Sequence, residues 1–239
     1  MKNKEQKSVI AVVGAGGKTS LILYMAKWLR EKNRPVIITT TTHMYEPEGR
    51  YYREGQLEEI KKALEEDGIA WVGEPATYIK SEKKITGVSS SFLERLFTLG
   101  ATVLIEADGA KHFPCKVPAD HEPVIPKEAE LVIGVAGLDC IGKPLSEICF
   151  RPELAAEILE TDTAHIMKEE DLVKLLLHSK GTKKGLPKEA EYMVILNKVD
   201  LPGTKEAGKK IQELLLEQGC ISKLLSCKRE INDKREAIK

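Results

Sequence analysis

The sequence predicts an α/β fold in which helices flank a mostly parallel β-sheet, giving a three-layer sandwich. Two observations support this prediction. Strand-like apolar runs alternate along the chain with segments whose apolar residues recur at helical spacing. Several of these runs are continuously apolar, which is typical of parallel strands covered on both faces. The 239 residues are enough for one domain with a substantial core.

The predicted elements follow one another in order along the chain. A first strand is predicted over 9–13, and apolar residues at helical spacing predict a helix directly after Lys18. Further strands are predicted over 36–40, 69–72, 102–106, 131–135, 193–196 and 221–225. Further helices are predicted around 57–64, 92–97, 154–159, 172–177 and 211–215. We expect a single domain over residues 1–239, with inserted loops at about 43–88 and 109–127 and a charged tail from about residue 228.

A glycine-rich turn joins the first strand to the first helix. Glycines at 14, 16 and 17 allow a tight turn with inward-pointing amides, and the helix that follows presents its positive N-terminal end. This context predicts a P-loop, in which Lys18 reaches the β- and γ-phosphates and the Thr19 hydroxyl binds Mg²⁺. Val12 stands where the standard spacing has glycine, so the loop is a variant. The predicted phosphate-binding residues are Gly14, Ala15, Gly16, Gly17, Lys18, Thr19 and Ser20.

The predicted strand at 102–106 delivers two carboxylates and a glycine at its carboxyl end. In Glu106-Ala-Asp-Gly109 the spacing predicts that Glu106 holds Mg²⁺ and that the Gly109 amide contacts the γ-phosphate. Asp108 either shares the metal or positions a water molecule. Lys18, Glu106 and Asp108 are therefore the candidate catalytic residues, and Thr19, Glu106 and Asp108 the candidate Mg²⁺ ligands. The alternative is that these acids only cap backbone groups or form ion pairs.

The segment Asn197-Lys-Val-Asp200, which follows another buried strand, predicts recognition of guanine. The Asp200 carboxylate accepts two hydrogen bonds from the guanine edge, and adenine offers no matching donor pair. Each charge-assisted bond contributes roughly 1.5–3 kcal/mol, so a tens- to thousands-fold preference for GTP over ATP is expected. Asn197 is expected to tie the base site to the P-loop, and the Lys198 stem to pack on the base. Ser226, in Ser226-Cys-Lys228 after the last strand, is a further candidate beside the base.

A proline-rich loop over 109–127 directly follows the predicted metal-side strand. It holds His112, Cys115, Asp120 and His121, whose spacing matches no established metal site. In open α/β sheets the loops at the carboxyl ends of strands bind ligands. We expect this loop to contact a substrate or partner, or to respond to the γ-phosphate as a switch segment.

The charge balance argues against bulk electrostatic binding to nucleic acid or to an anionic membrane. Lys plus Arg and Asp plus Glu both number 37, so a partner must be recognised by a site. No apolar run approaches the ~20 residues that a membrane span needs, and no apolar signal region precedes the first strand, so a cytoplasmic protein is expected. The five cysteines include no Cys-x-x-Cys pair, which suits reduced thiols.

Taken together, these motifs resemble the YqeC family of selenium-dependent hydroxylase accessory proteins. The resemblance extends from about residue 9 to residue 200 and includes His121-Glu-Pro-Val-Ile-Pro126, Gly137-Leu-Asp139, Gly142-Lys-Pro144 and Arg151-Pro-Glu153. It implies a P-loop nucleotide-binding protein associated with the maturation of molybdenum hydroxylases that need selenium. The implied partner is a client hydroxylase or its cofactor-maturation machinery.

The leading functional hypothesis is a GTP-binding protein that uses Mg²⁺ and hydrolyses GTP slowly. No arginine finger or water-positioning glutamine is evident in the sequence, so a partner or a second subunit of a homodimer is needed for fast hydrolysis. Two alternatives stay open. One is a phosphotransferase that passes the γ-phosphate to a small molecule held by the proline-rich loop, and the other is a non-catalytic scaffold that binds nucleotide only structurally.

Overall fold

A computed structural model describes residues 8–76 and 83–227. The predicted charged tail from residue 228, Lys228 included, lies outside the described residues. The strands are β1 (Val9–Gly14), β2 (Val36–Thr40), β3 (His43–Tyr45), β4 (Ile69–Trp71), β5 (Glu74–Pro75), β6 (Lys84–Thr86), β7 (Thr102–Glu106), β8 (Cys115–Lys116), β9 (Leu131–Gly137), β10 (Cys149–Phe150), β11 (Glu191–Asn197) and β12 (Ile221–Leu225). The helices are α1 (Lys18–Glu31), α2 (Leu57–Glu66), α3 (Ser90–Leu96), α4 (Leu145–Ile148), α5 (Pro152–Leu159), α6 (Glu169–Leu177) and α7 (Thr204–Glu217), with a 3₁₀ turn at Leu138–Cys140.

The central sheet has seven strands in the order β12-β11-β9-β1-β7-β2-β4. Every neighbouring pair in it is parallel. The predicted α/β class with a parallel sheet is therefore confirmed, and the architecture is consistent with a P-loop NTPase-like fold. The pair β9 and β11 runs further than predicted, because the two strands hydrogen-bond to each other up to the partners Gly137 and Asn197, beyond the apolar runs.

Alternate residues of β1 enter two different cores, since side chains of a strand point to opposite faces. Val9, Ala11 and Val13 pack with residues of α2 and α3 on one face. Ile10 and Val12 pack with α1 on the other. Val12 is fully buried there, so the position that is glycine in the standard P-loop is a core position of the strand in this chain.

The two segments predicted as inserted loops contain more regular structure than expected. Within 43–88, the predicted helix and strand are present as α2 and β4 and belong to the central layers, and the strands β3, β6 and β5, which were not predicted, form a small antiparallel sheet. Within 109–127, the short strand β8 pairs in parallel with β10. These strand pairs could not be predicted from the sequence, because strands of two or three residues are too short to show a periodic pattern. Within the described part of the chain, no helix has both the length and the apolar character that crossing a membrane requires.

Candidate functional site

A cavity of about 840 Å³ lies at the carboxyl ends of the central strands. Such a position at the strand ends is where parallel α/β sheets bind ligands. A smaller cavity, about 400 Å³, lies near the start of β2 and contains none of the predicted residues. The predicted site residues that line the larger cavity are Gly16, Gly17, Lys18, Thr19, Ser20, Glu106, Gly109, Asn197, Lys198, Asp200 and Ser226. Gly14, Ala15 and Asp108 do not line it.

The backbone of the glycine loop is held by the protein itself over its first half. The Gly14 amide donates to Asp108 Oδ2 at 3.0 Å, the Ala15 amide to Val135 O at 2.9 Å, and the Gly16 amide to Phe113 O at 2.9 Å. The expectation that these amides point inward to phosphates is therefore wrong for this structure. The start of α1 also lines the cavity; no side chain caps this helix and its first turn has no acidic residue, so the amides of its first turn are available to an anion.

Lys18 is enclosed by acceptors of its own chain. Its Nζ donates to Gly14 O at 2.8 Å and lies 3.1 Å from Asp108 Oδ1 and 3.8 Å from Glu106 Oε1. Only 4% of the side chain is exposed. The ammonium group is thus already neutralised, and a phosphate that binds it has to draw it away from the carboxylates.

Thr19 and Glu106, which both line the cavity, are in contact with each other. The Thr19 hydroxyl donates to Glu106 Oε2 at 2.8 Å. Burial raises the pKa of Glu106, while the Lys18 charge and the Thr19 hydrogen bond oppose the shift. A hydroxyl and a carboxylate side by side are the hard oxygen ligands that Mg²⁺ prefers, so this pair fits the metal that the P-loop implies.

Asp108 does not line the cavity, and it belongs to a network of ion pairs behind the glycine loop. Its Oδ2 lies 3.0 Å from Lys116 Nζ, and Lys116 in turn donates to Glu122 Oε2 at 2.9 Å. Arg151 reaches the same Glu122 oxygen at 2.8 Å. Burial alone raises the pKa of Glu122, but Lys116 and Arg151 outweigh it and hold that pKa below its usual value. The ion-pair alternative therefore describes the present contacts of Asp108, and its metal or water role stays a prediction.

Asn197 holds together the end of the cavity where a base is predicted to bind, lined by Asn197, Lys198, Asp200 and Ser226, which we call the base end. Its Nδ2 donates to Gly16 O at 2.8 Å, and its Oδ1 accepts from the Cys227 amide at 3.1 Å. Asn197 therefore contacts the glycine loop, as its motif predicts, and it also binds the segment 226–227, while its role beside a base stays a prediction. Gly17 has to be glycine, because a Cβ there would collide with Asn197 Nδ2. The exposed Asp200 lies on the cavity wall, as guanine recognition requires.

Asp139 is a cavity residue to which sequence reasoning gave no role. Its Oδ2 pairs with Lys198 Nζ at 2.7 Å, and Lys198 adopts a left-handed φ of 69°. The ion pair fixes the Lys198 stem beside the base end. The place of Asp139 in the chain could have indicated a role at the cavity, since it follows the end of β9, the strand between β1 and β11.

A second group of cavity residues was predicted only in part. These residues lie on β3, on β6 and in the loop after Gly109: His43, Met44, Tyr45, Lys84, Ala110, Lys111, His112 and Phe113. Residues 110–113 lie in the proline-rich loop that was expected to contact a substrate or partner, whereas no role was predicted for the residues of β3 and β6. The short strands β3 and β6 carry no sequence motif. They lie beside the cavity because they pair with each other in the small antiparallel sheet.

Two comparisons with known proteins bear on this site. A profile of the YqeC protein family matches residues 10–153. The chain is also 32% identical over 202 residues to the uncharacterized protein YqeC of Escherichia coli strain K12, a match that covers 82% of this chain and 77% of the relative. The profile match includes the glycine loop and Glu106–Gly109, and it ends before Asn197.

Proposed function

This chain belongs to the YqeC family, and we propose that it binds GTP with Mg²⁺ and hydrolyses the nucleotide slowly. The observation that carries the proposal is the single cavity that joins the glycine loop to Asn197 and Asp200. Phosphates bind at the start of α1 and at Lys18 in this proposal. The base extends toward β11 and β12, where Asp200 accepts its two donors.

Mg²⁺ is the cofactor that the donor set supports. Thr19 and Glu106 already touch at 2.8 Å and would hold the ion between the loop and the end of β7. When bound, the metal would neutralise charge on the β- and γ-phosphates. Lys18 leaves Asp108 for the phosphates as they arrive, and Asp108 keeps a cation because Lys116 stays at 3.0 Å.

The slow rate follows from the residues around the cavity. Among the described residues that line it there is neither an arginine nor a glutamine. These side chains supply the transition-state charge and orient the attacking water in fast GTPases. Fast turnover therefore requires a group from outside the described residues, and the family resemblance favours a client molybdenum hydroxylase, or its maturation machinery, as the source. Nucleotide state would then control insertion or activation of the client's cofactor.

Calorimetric titration of GTP and ATP in excess Mg²⁺ tests the proposal. We expect wild type to bind GTP at least tenfold more tightly than ATP, since one charge-assisted hydrogen bond is worth roughly 1.5–3 kcal/mol. Asp200→Ala should lose this preference and keep its ATP affinity. Glu206→Ala, which removes an exposed acid of α7 outside the cavity, should behave as wild type. Equal affinity of wild type for the two nucleotides would overturn the guanine assignment, and no binding of either would overturn the function.

A further inference from the structure

The cavity continues past the phosphate region into a set of side chains that the nucleotide does not explain. Six of them, which we call the basic subsite, come from β3, β6 and the loop after Gly109. The members of the basic subsite are His43, Tyr45, Lys84, Lys111, His112 and Phe113.

The sheet order places the basic subsite and the base end on opposite flanks of β1. Asn197 is the last residue of β11, and Asp200 follows it closely. On one side of β1, β11 lies two strands away. His43 and Tyr45 follow β2, which lies two strands from β1 on the other side. Four strand spacings separate β11 from β2, roughly 19 Å. The cavity, about 840 Å³, lies near the upper end of the ~300–1,000 Å³ range of small-molecule sites and so has room for a second ligand.

The composition of the basic subsite favours an anion. It contains two lysines and two histidines and no carboxylate. Lys84 Nζ lies 5.0 Å from the centre of the Tyr45 ring, and the Tyr45 hydroxyl lies 2.9 Å from His112 Nε2. The Tyr45 and His112 rings also stack, with centroids 5.7 Å apart. These contacts hold the polar groups in one place and lower the entropy cost of binding.

The loop that carries Lys111 and His112 lines the cavity and has a strained backbone at both residues. Both residues have left-handed φ angles, 44° and 65°, which non-glycine residues rarely adopt. Such a backbone conformation is unfavourable and persists only where the surroundings impose it. The next residue, Phe113, accepts the Gly16 amide at 2.9 Å, so the strained pair is fastened to the P-loop.

We propose that the basic subsite binds a second, phosphate-bearing small molecule next to the γ-phosphate of GTP. Lysine ammonium groups are strong phosphate partners, and the strained loop holds Lys111 at the cavity. The inference rests on the proposed function, because the bound nucleotide forms one side of the second site. Its ligand is thus recognised by charge at one end of the cavity while the base of GTP is recognised at the other.

Titration of inorganic pyrophosphate tests the subsite, using protein saturated with Mg²⁺ and the non-hydrolysable analogue guanylyl imidodiphosphate. We expect one saturable pyrophosphate site in the loaded wild type. The double variant Lys84→Ala/Lys111→Ala should bind pyrophosphate at least tenfold more weakly and bind the analogue within about threefold of wild type, which also shows that it is folded. Lys83→Ala is the matched control, since this exposed lysine precedes Lys84 and does not line the cavity. It should behave as wild type.

Three results would overturn the subsite while leaving GTP binding intact. The first is that loaded wild type does not take up pyrophosphate, and the second is that the double variant binds pyrophosphate as tightly as wild type does. A tenfold loss of analogue affinity in the double variant would instead assign the two lysines to the nucleotide. Failure of the proposed function has a different signature, in which wild type does not bind the analogue at all.

Discussion

Two regions of the cavity differ in how far they are prepared for a ligand, namely the base end and the predicted phosphate region around Lys18, Thr19 and Glu106, which we call the phosphate end. At the base end, Asn197 satisfies both of its polar groups, with Gly16 O and the Cys227 amide, and leaves Asp200 exposed on the wall. At the phosphate end, the charged groups satisfy one another, since Lys18 lies 3.1 Å from Asp108 and Thr19 donates to Glu106. The base end is preorganised, whereas the phosphate end has to exchange partners.

In the proposed function, this difference decides where binding free energy is used. A base that enters a preformed site meets an acceptor already in place, and the gain appears directly as affinity. Phosphates, by contrast, would first have to separate Lys18 from the buried Asp108 carboxylate. That exchange is tolerable because Asp108 keeps Lys116 at 3.0 Å and the Gly14 amide at 3.0 Å. Variants that change one end show whether ligand binding at the other end responds.

The largest effect is expected for Lys18→Met. The variant removes the main cation of the phosphate end, so affinity for GTP and GDP should both fall roughly a hundredfold or more. Its melting temperature without nucleotide should also fall, because Asp108 and Glu106 lose a shared buried cation. Calorimetry and thermal unfolding measure the two effects. Lys27→Met, on the same helix and outside the cavity, is the control, and unchanged affinity in Lys18→Met would refute the phosphate role.

A smaller effect is expected for Glu106→Gln, which should remove the gain in affinity that Mg²⁺ gives, roughly ten- to a hundredfold. Because burial raises the folded pKa of Glu106, the unfolded state binds fewer protons between the unfolded and folded pKa values. Wild-type stability therefore falls as pH rises through that window. The variant lacks this penalty, so its melting temperature should exceed that of wild type more at pH 8 than at pH 5.

Two measurements check this prediction. Nucleotide titrations with and without Mg²⁺ give the first effect, and thermal unfolding of unliganded protein at the two pH values gives the second. Glu147→Gln changes an exposed glutamate outside the cavity and should alter neither. A Mg²⁺ response that survives in Glu106→Gln would move the metal to other ligands.

The fold was more predictable than the site because its signal is repeated along the chain. Buried parallel strands need continuous apolar runs, and three strands were predicted with the bounds that the structure has, β2, β7 and β12. Strands of two or three residues, such as β3 and β8, escaped because no period is visible in so short a stretch. The position of Asn197 against the P-loop was predictable because its motif specifies that contact.

The charge network at the phosphate end was not predictable in the same way. Asp108 and Lys116 are eight residues apart in a proline-rich loop, and only the pairing of β8 with β10 brings the lysine under the carboxylate. The glycine pattern likewise predicted flexibility without predicting that Asp108 and Phe113 accept the amides of Gly14 and Gly16. Motifs specify residue types, and the partners that the rest of the chain supplies depend on tertiary structure.

The smallest effect on affinity is expected for Asn197→Ala, which tests whether the preorganised end supports the other. The variant leaves Gly16 O and the Cys227 amide without their buried partner, and each such loss costs about 1–3 kcal/mol of stability. Affinity for GTP and GDP should fall about three- to tenfold as the P-loop loses one neutral hydrogen bond. Chemical denaturation and nucleotide titration measure the two quantities.

The matched variant Asn197→Asp separates the two hydrogen bonds. A carboxylate still accepts from the Cys227 amide, but it places an oxygen against Gly16 O where the amide nitrogen donated. If the contact with Gly16 carries the coupling, Asn197→Asp should weaken nucleotide binding at least as much as Asn197→Ala does, while GTP is still preferred over ATP because Asp200 is intact. Wild-type affinity in both variants would show that the base end and the phosphate end act independently.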